Sequence, residues 1–216
     1  MQARAEATRR RIIDSAVDLF DELGYGETGL ADVLQRAGVS KGAFYYHFDS
    51  KEAVASAIID DYRRRIREAA RERTDPSKPD LESIILATFT SAATIQADKN
   101  ARIGNELLQA LGQVSSVAAR VYREWTDSFI TGLTKAIEAT GVRDGVDAAE
   151  AAESAWTSVL GCHLLSSAMG DDAHARLVRA WRAMVRATVP EHLLDYYYGV
   201  LESVSAQVQP VGATAS

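Results

Sequence analysis

Val39-Ser40-Lys41-Gly42-Ala43-Phe44-Tyr45-Tyr46-His47-Phe48 crowds a lysine, two tyrosines and a histidine around two of the smallest residues. A lysine ammonium can donate to a guanine edge or to a phosphate, while tyrosine hydroxyls and an imidazole suit phosphate oxygens. Gly42 and Ala43 let a helix backbone come close to base edges, and Gly38 just upstream permits the positive φ of a tight turn. The chemistry on offer is hydrogen bonding to double-stranded DNA. A tyrosine-rich short helix is elsewhere often a core element; here the glycine-bounded turn and the crowding of polar groups favour recognition in a groove.

Catalysis has no comparable platform. No nucleophile stands with a base and an orienting group, no glycine loop could cradle a phosphate, and carboxylates are scattered over solvated faces. The four histidines, 47, 163, 174 and 192, have no ligand spacing, so no metal and no cofactor are expected. Cys162 and His163 read as buried and inert. The single cysteine excludes an internal disulfide and fits a reducing cytoplasm.

Something must hold that segment in place. Apolar residues recur three or four apart along nearly the whole chain, so the expected fold class is all-α. A first helix from about Ala5 to Leu23 carries Ile12, Ile13, Ala16, Val17, Phe20 and Leu23 on one face, and Gly24-Tyr25-Gly26 ends it. A second runs from Leu30 to Ala37, closed by Gly38. The third starts after Ser40, a good N-cap, and ends near His47. Leu30, Val33, Leu34, Val39 and Phe44 would form a small core with the first helix, a three-helix arrangement whose last helix can enter a major groove.

A fourth helix, capped by Asp49 or Ser50, runs to the Thr74–Pro79 break. Further helices are expected at about 80–97, 101–111, 115–140, 147–169, 171–188 and 190–207. The domains expected are a helix-turn-helix DNA-binding domain at 1–52, a helical ligand-binding and dimerisation domain at 53–206, and a mobile tail at 207–216.

Size and charge permit this. The chain has 216 residues, 47% of them hydrophobic and 25% charged, enough for a real core and unlike a disordered chain. No apolar run reaches the ~20 residues of a membrane span, and the first residues lack a secretory pattern. The expected location is cytoplasmic, with no membrane partner. The net charge of −6 argues against nucleic acid at first sight, but the first 74 residues carry 13 basic and 13 acidic side chains. The excess acidity lies wholly beyond them. Arg9, Arg10 and Arg11, then Lys41 and Lys51, are local clusters that can act despite a neutral sum.

Residues 6–55 resemble the TetR family of one-component repressors. Gly24-Tyr25-Gly26-Glu27-Thr28 resembles that family's entry to its second helix. Val39 to Phe48 followed by Ser50-Lys51-Glu52 resembles its signature position by position. The resemblance implies an all-helical homodimer, a divergent C-terminal ligand domain, a pseudopalindromic operator, and repression relieved by a small-molecule inducer. It assigns DNA contacts to Thr28, Lys41, Gly42, Ala43, Tyr45, Tyr46, His47 and Lys51. Gly29 departs from the family, which has Ser or Thr there. Glycine is a tolerable N-cap, but a phosphate-binding hydroxyl is lost and Thr28 would carry that contact alone.

Beyond the headpiece, the eighth helix is rich in Ala, Ser, Val and Leu, and the ninth carries Leu177, Val178, Trp181, Met184 and Val185 beside Arg176, Arg179, Arg182 and Arg186. These two are expected to form the homodimer contact. Arg102-Ile103-Gly104, Arg123-Glu124-Trp125 and Trp181-Arg182-Ala183-Met184 before Pro190 resemble the γ-butyrolactone autoregulator receptors of actinobacteria. By that resemblance Trp125 matches a tryptophan beside the hormone pocket, and Thr157 a position able to hydrogen-bond a butenolide-type ligand. On general grounds Trp125 is equally a core anchor, and the Thr157 hydroxyl by default bonds to its own helix. Phe89, Leu108, Phe129 and Val159 complete the expected apolar lining. A lipid-binding helical module, or a drug-sensing efflux repressor with another ligand, is the alternative.

Overall fold

The computed structural model describes residues 2–74, 80–112 and 115–208. They form α1 (Gln2–Leu23), α2 (Leu30–Ala37), α3 (Lys41–His47), α4 (Lys51–Arg71), α5 (Leu81–Ala97), α6 (Lys99–Leu111), α7 (Ser116–Thr140), α8 (Ala148–Met169), α9 (Ala173–Thr188) and α10 (Leu194–Gln207). A short 3-10 turn, Glu191–Leu193, opens after Pro190, and no strand occurs among the described residues. Most of the expected 74–79 break and residues 209–216 of the expected tail lie outside the described residues. Gln207 still belongs to α10, and Val208 is buried.

Caps explain where the helices begin. Ser40 Oγ accepts from Ala43 N–H at 3.2 Å, and Ser50, not Asp49, caps α4 by accepting from Ala53 N–H. The expected start of the sixth helix was two residues late, because Asp98 Oδ1 accepts from Asn100 and Ala101 N–H. Asp147 Oδ1 does the same for Ala149 and Glu150 at the start of α8. Gly29 opens α2 without a side chain, and the Asp32 carboxylate closes the turn by accepting from Gly29 N–H at 2.8 Å.

The chain packs as two compact units: Met1–Arg65 with Asp98–Val121, and Ile66–Ala97 with Tyr122–Ser216. In the first unit α1 buries Ile12, Ala16, Val17, Leu19 and Phe20, and Phe44 of α3 is fully buried. Leu30, Leu34 and Val39 are only half-buried, and Leu23 is 51% exposed. α6 lies directly on α4: a Cβ on Gly104 would stand 2.4 Å from Tyr62 Cβ, and Tyr62 donates its hydroxyl to Asn105 at 3.2 Å. Lys99 pairs with Asp18 of α1 at 2.6 Å, and Arg102 with Asp21 at 3.0 Å. The Arg102 guanidinium holds the Asp21 carboxyl below its usual range.

The second unit is built on Leu81, Ile85 and Phe89 of α5, Leu133 and Ile137 of α7, Val159 of α8, Leu177, Trp181 and Val185 of α9, and Leu201 of α10. Trp181 is buried and donates its indole N–H to Thr88 Oγ1 at 2.8 Å, whose hydroxyl donates in turn to Ile85 C=O. The largest core side chain thus has its one polar atom satisfied.

Two outcomes are expected. Gly104→Ala forces a methyl into the α4 backbone contact and should cost about 1–3 kcal/mol, read as a lower midpoint in urea unfolding. Burial pushes the His163 imidazole from 6.5 down to about 4, so between those values the unfolded chain binds a proton the folded chain refuses. This part of the stability is complete above pH 6.5 and is lost as pH falls towards 4. His163→Gln should flatten that acid limb of the Tm–pH curve.

Candidate nucleic-acid interface and ligand region

α3 divides its faces cleanly. Phe44 is fully buried, with the Tyr45 ring edge-on at 5.6 Å and Phe48 at 6.0 Å. Lys41 and Gly42 are exposed, Tyr45 is 46% and Tyr46 77% exposed, while Ala43 and His47 are half-buried. Two tyrosines are seldom left in water without a partner surface, and here their hydroxyls stand on one short helix beside a lysine. Gly38 holds the turn before it in the left-handed region at φ 61°, and Val39 N–H donates to Leu34 C=O at 3.2 Å.

Thr28 and Lys51 have another occupation. Thr28 is 1% exposed, and its hydroxyl donates to Gly24 C=O at 2.8 Å and to Leu19 C=O at 3.3 Å. Lys51 Nζ donates to Tyr25 C=O at 2.8 Å and to Thr28 C=O at 2.7 Å, and lies 4.2 Å from the Tyr25 ring centroid. Tyr25 in turn donates to the Glu52 carboxylate at 3.3 Å, and burial together with that carboxylate pushes its phenol up to about 12. Both side chains thus brace the α1–α2 turn. Asx-type signals could not reveal this, because the acceptors are backbone carbonyls brought close only by the fold.

The expected ligand-lining residues are divided between the two units. Phe89 and Val159 are buried in the second unit's core, Phe89 with its ring 5.0 Å from that of His174. Leu108 is buried in the first unit. Thr157 is exposed on α8 in an open groove with Glu150, Glu153 and Ser154, because the buried positions of that helix are Ala152, Ala155, Val159, Cys162 and Ser166. Trp125 is half-buried on α7. Phe129 stacks at 4.6 Å on Trp156, whose indole donates to Thr126 at 2.9 Å. Trp156 is the aromatic that sequence reasoning missed. Burial raises the Cys162 thiol above its ordinary range.

Comparisons with known proteins agree with this geometry. The N-terminal model of the TetR family of bacterial regulatory proteins matches residues 12–58, and the Tetracyclin repressor-like C-terminal domain matches 101–184. The A-factor receptor protein of Streptomyces griseus is 31% identical over 183 residues, 84% of this chain and 63% of that protein. The chain thus spans less than two thirds of that relative's length. CprB from Streptomyces coelicolor A3(2) is 30% identical with a TM-score of 0.73, covering 94% of this chain and 99% of that one. CprB has also been solved in complex with its biological operator sequence, a structure that matches with TM-score 0.72 at 29% identity over 94% of this chain and 98% of that one. A structure described as a gamma-butyrolactone receptor (ArpA-like protein) matches at 28% identity and TM-score 0.72, covering 94% and 99% of the two chains. The chain belongs to the TetR family of bacterial regulatory proteins.

The braces and the contacts should separate experimentally. Lys51→Met removes two charge-assisted hydrogen bonds and should lower stability by about 1–3 kcal/mol, seen in thermal melts. Lys41→Ala should leave the melt unchanged and weaken DNA binding in a mobility-shift titration.

Proposed function

We propose that this protein is a transcriptional repressor that binds a pseudopalindromic operator as a homodimer and is released by a small molecule of the γ-butyrolactone or butenolide class. One observation carries the DNA reading: α3 exposes Lys41, Gly42, Tyr45 and Tyr46 while Phe44 anchors it. Lys41, Gly42, Ala43, Tyr45, Tyr46 and His47 are the proposed groove and phosphate contacts, with the functional division of the chain near residue 52. A repressor of this kind works on cytoplasmic DNA.

The proposed dimer face is on α8 and α9. Leu164, Leu165 and Met169 are 56%, 47% and 66% exposed on α8, more apolar surface than a lone helix face normally leaves in water. A two-fold pair would hold two recognition helices about one DNA turn, ~34 Å, or a small multiple apart. The ligand region is proposed within α5, α7 and α8, with the half-buried Trp125 and the Phe129–Trp156 pair as walls. The ligand-class reading is supported by likeness to the A-factor receptor protein and to the gamma-butyrolactone receptor structure. Release requires that the ligand prefer one of two headpiece arrangements, since it can shift the equilibrium only by its differential affinity. α4 is the proposed lever, because it starts a few residues after α3 and continues into the second unit.

The test is a titration of labelled promoter duplex with protein, followed by synthetic γ-butyrolactones. Dissociation at a saturating lactone level is the expected result, and Trp125→Ala should bind DNA as before but require at least about tenfold more lactone, equivalent to a loss of about 1.4 kcal/mol. Binding that no lactone reverses would exclude this ligand class.

A further inference from the structure

The first unit sorts its cations into two groups. Arg36 is engaged by Glu22, Arg65 by Asp61 and Asp98, Lys99 by Asp18, and Arg102 by Asp21. Lys51 donates to two backbone carbonyls. Arg4, Arg9, Arg10, Arg11 and Lys41 are in no ion pair among the described residues. Within the three N-terminal helices of this unit, the cations in no ion pair thus lie on the first turns of α1 and at the start of α3.

Arg9 connects the two places. Ile12, Ala16 and Phe20 mark the buried face of α1, and Arg9 continues that face one turn towards the N-terminus, where it is half-buried. Its guanidinium carbon lies 5.2 Å from the ring centroid of Phe48, the residue that caps the C-terminal end of α3. A guanidinium stacked on a ring keeps its N–H edge free, and that planar edge matches a phosphate in two-point geometry. Phe48 is itself buried, so the ring is a fixed platform rather than a mobile one.

We propose that Arg9, positioned by Phe48, is a DNA-backbone contact outside the helix-turn-helix, gripping a phosphate that flanks the groove entered by α3. The proposal rests on the DNA-binding reading and adds to it a residue from the first helix. A phosphate contact carries no sequence information, so it acts equally on operator and on unrelated DNA.

The experiment measures affinity for the promoter duplex and for a random-sequence duplex of the same length over a range of NaCl concentrations. Each phosphate neutralised contributes about −0.9 to the slope of log K against log salt, so Arg9→Gln in a dimer should make the slope shallower by about 2. It should weaken both duplexes by a similar factor, on the order of tenfold at low salt, and Arg9→Lys should recover most of the slope. An unchanged slope, or weakening confined to the promoter duplex, overturns the proposal. A melt of Arg9→Gln that falls while Arg9→Lys also fails to recover the slope assigns Arg9 to packing and overturns it too. Lys41→Ala is the separate arm: if it leaves promoter affinity unchanged, the groove reading fails independently of Arg9.

Discussion

The placement of the recognition helix depends on one ammonium group. Lys51 is the first residue of α4, yet its Nζ ends in the α1–α2 turn on the carbonyls of Tyr25 and Thr28. An ammonium taken partly out of water must find acceptors, and removing either partner leaves a desolvated group behind. The turn and the start of α4 are thereby tied as one piece. Thr28 finishes the tie from the other side, its hydroxyl reaching back to α1. α3 lies in sequence between the two tied ends, so its orientation follows from them.

A second set of constraints brings α6 into the same unit. Individually, the pairs Lys99–Asp18 and Arg102–Asp21 are exposed and contribute about 0–1 kcal/mol each. Their use is in register, because they fix which turn of α6 faces which turn of α1. Closeness comes instead from Gly104, which has no side chain to hold the helix away from Tyr62. Attraction at long range and the absence of a methyl at short range thus divide the task of docking a helix that is distant in sequence.

The fold was legible wherever a local signal decides the structure. Gly38 and Ser40 mark the boundaries of α2 and α3 because a positive φ and a free hydroxyl act within a few residues of themselves. Asp98 acts just as locally, but a carboxylate in a charged stretch does not declare itself a cap. The bracing role of Thr28 and Lys51 was hidden for a different reason. Their residue types suit a phosphate and a carbonyl equally well, and Leu19 C=O comes within reach only after α1 has folded back. α8 hid its faces because alanine and serine surround it on all sides. Periodicity then selects no buried stripe, so Trp156 passed unnoticed.

Charge sorting in the headpiece bears on how such a protein finds its site. Its carboxylates match its cations in number over the first 74 residues, so the summed charge exerts little pull on arbitrary DNA and its grip there is weak. Weak adhesion to the bulk of the chromosome shortens each unproductive stop. It also leaves a larger fraction of molecules unsequestered among the ~10⁶–10⁹ competing positions a genome presents. A neutral headpiece with a handful of free donors thus favours fast turnover during the search, at the cost of relying on symmetry and shape to dwell once the right sequence is met.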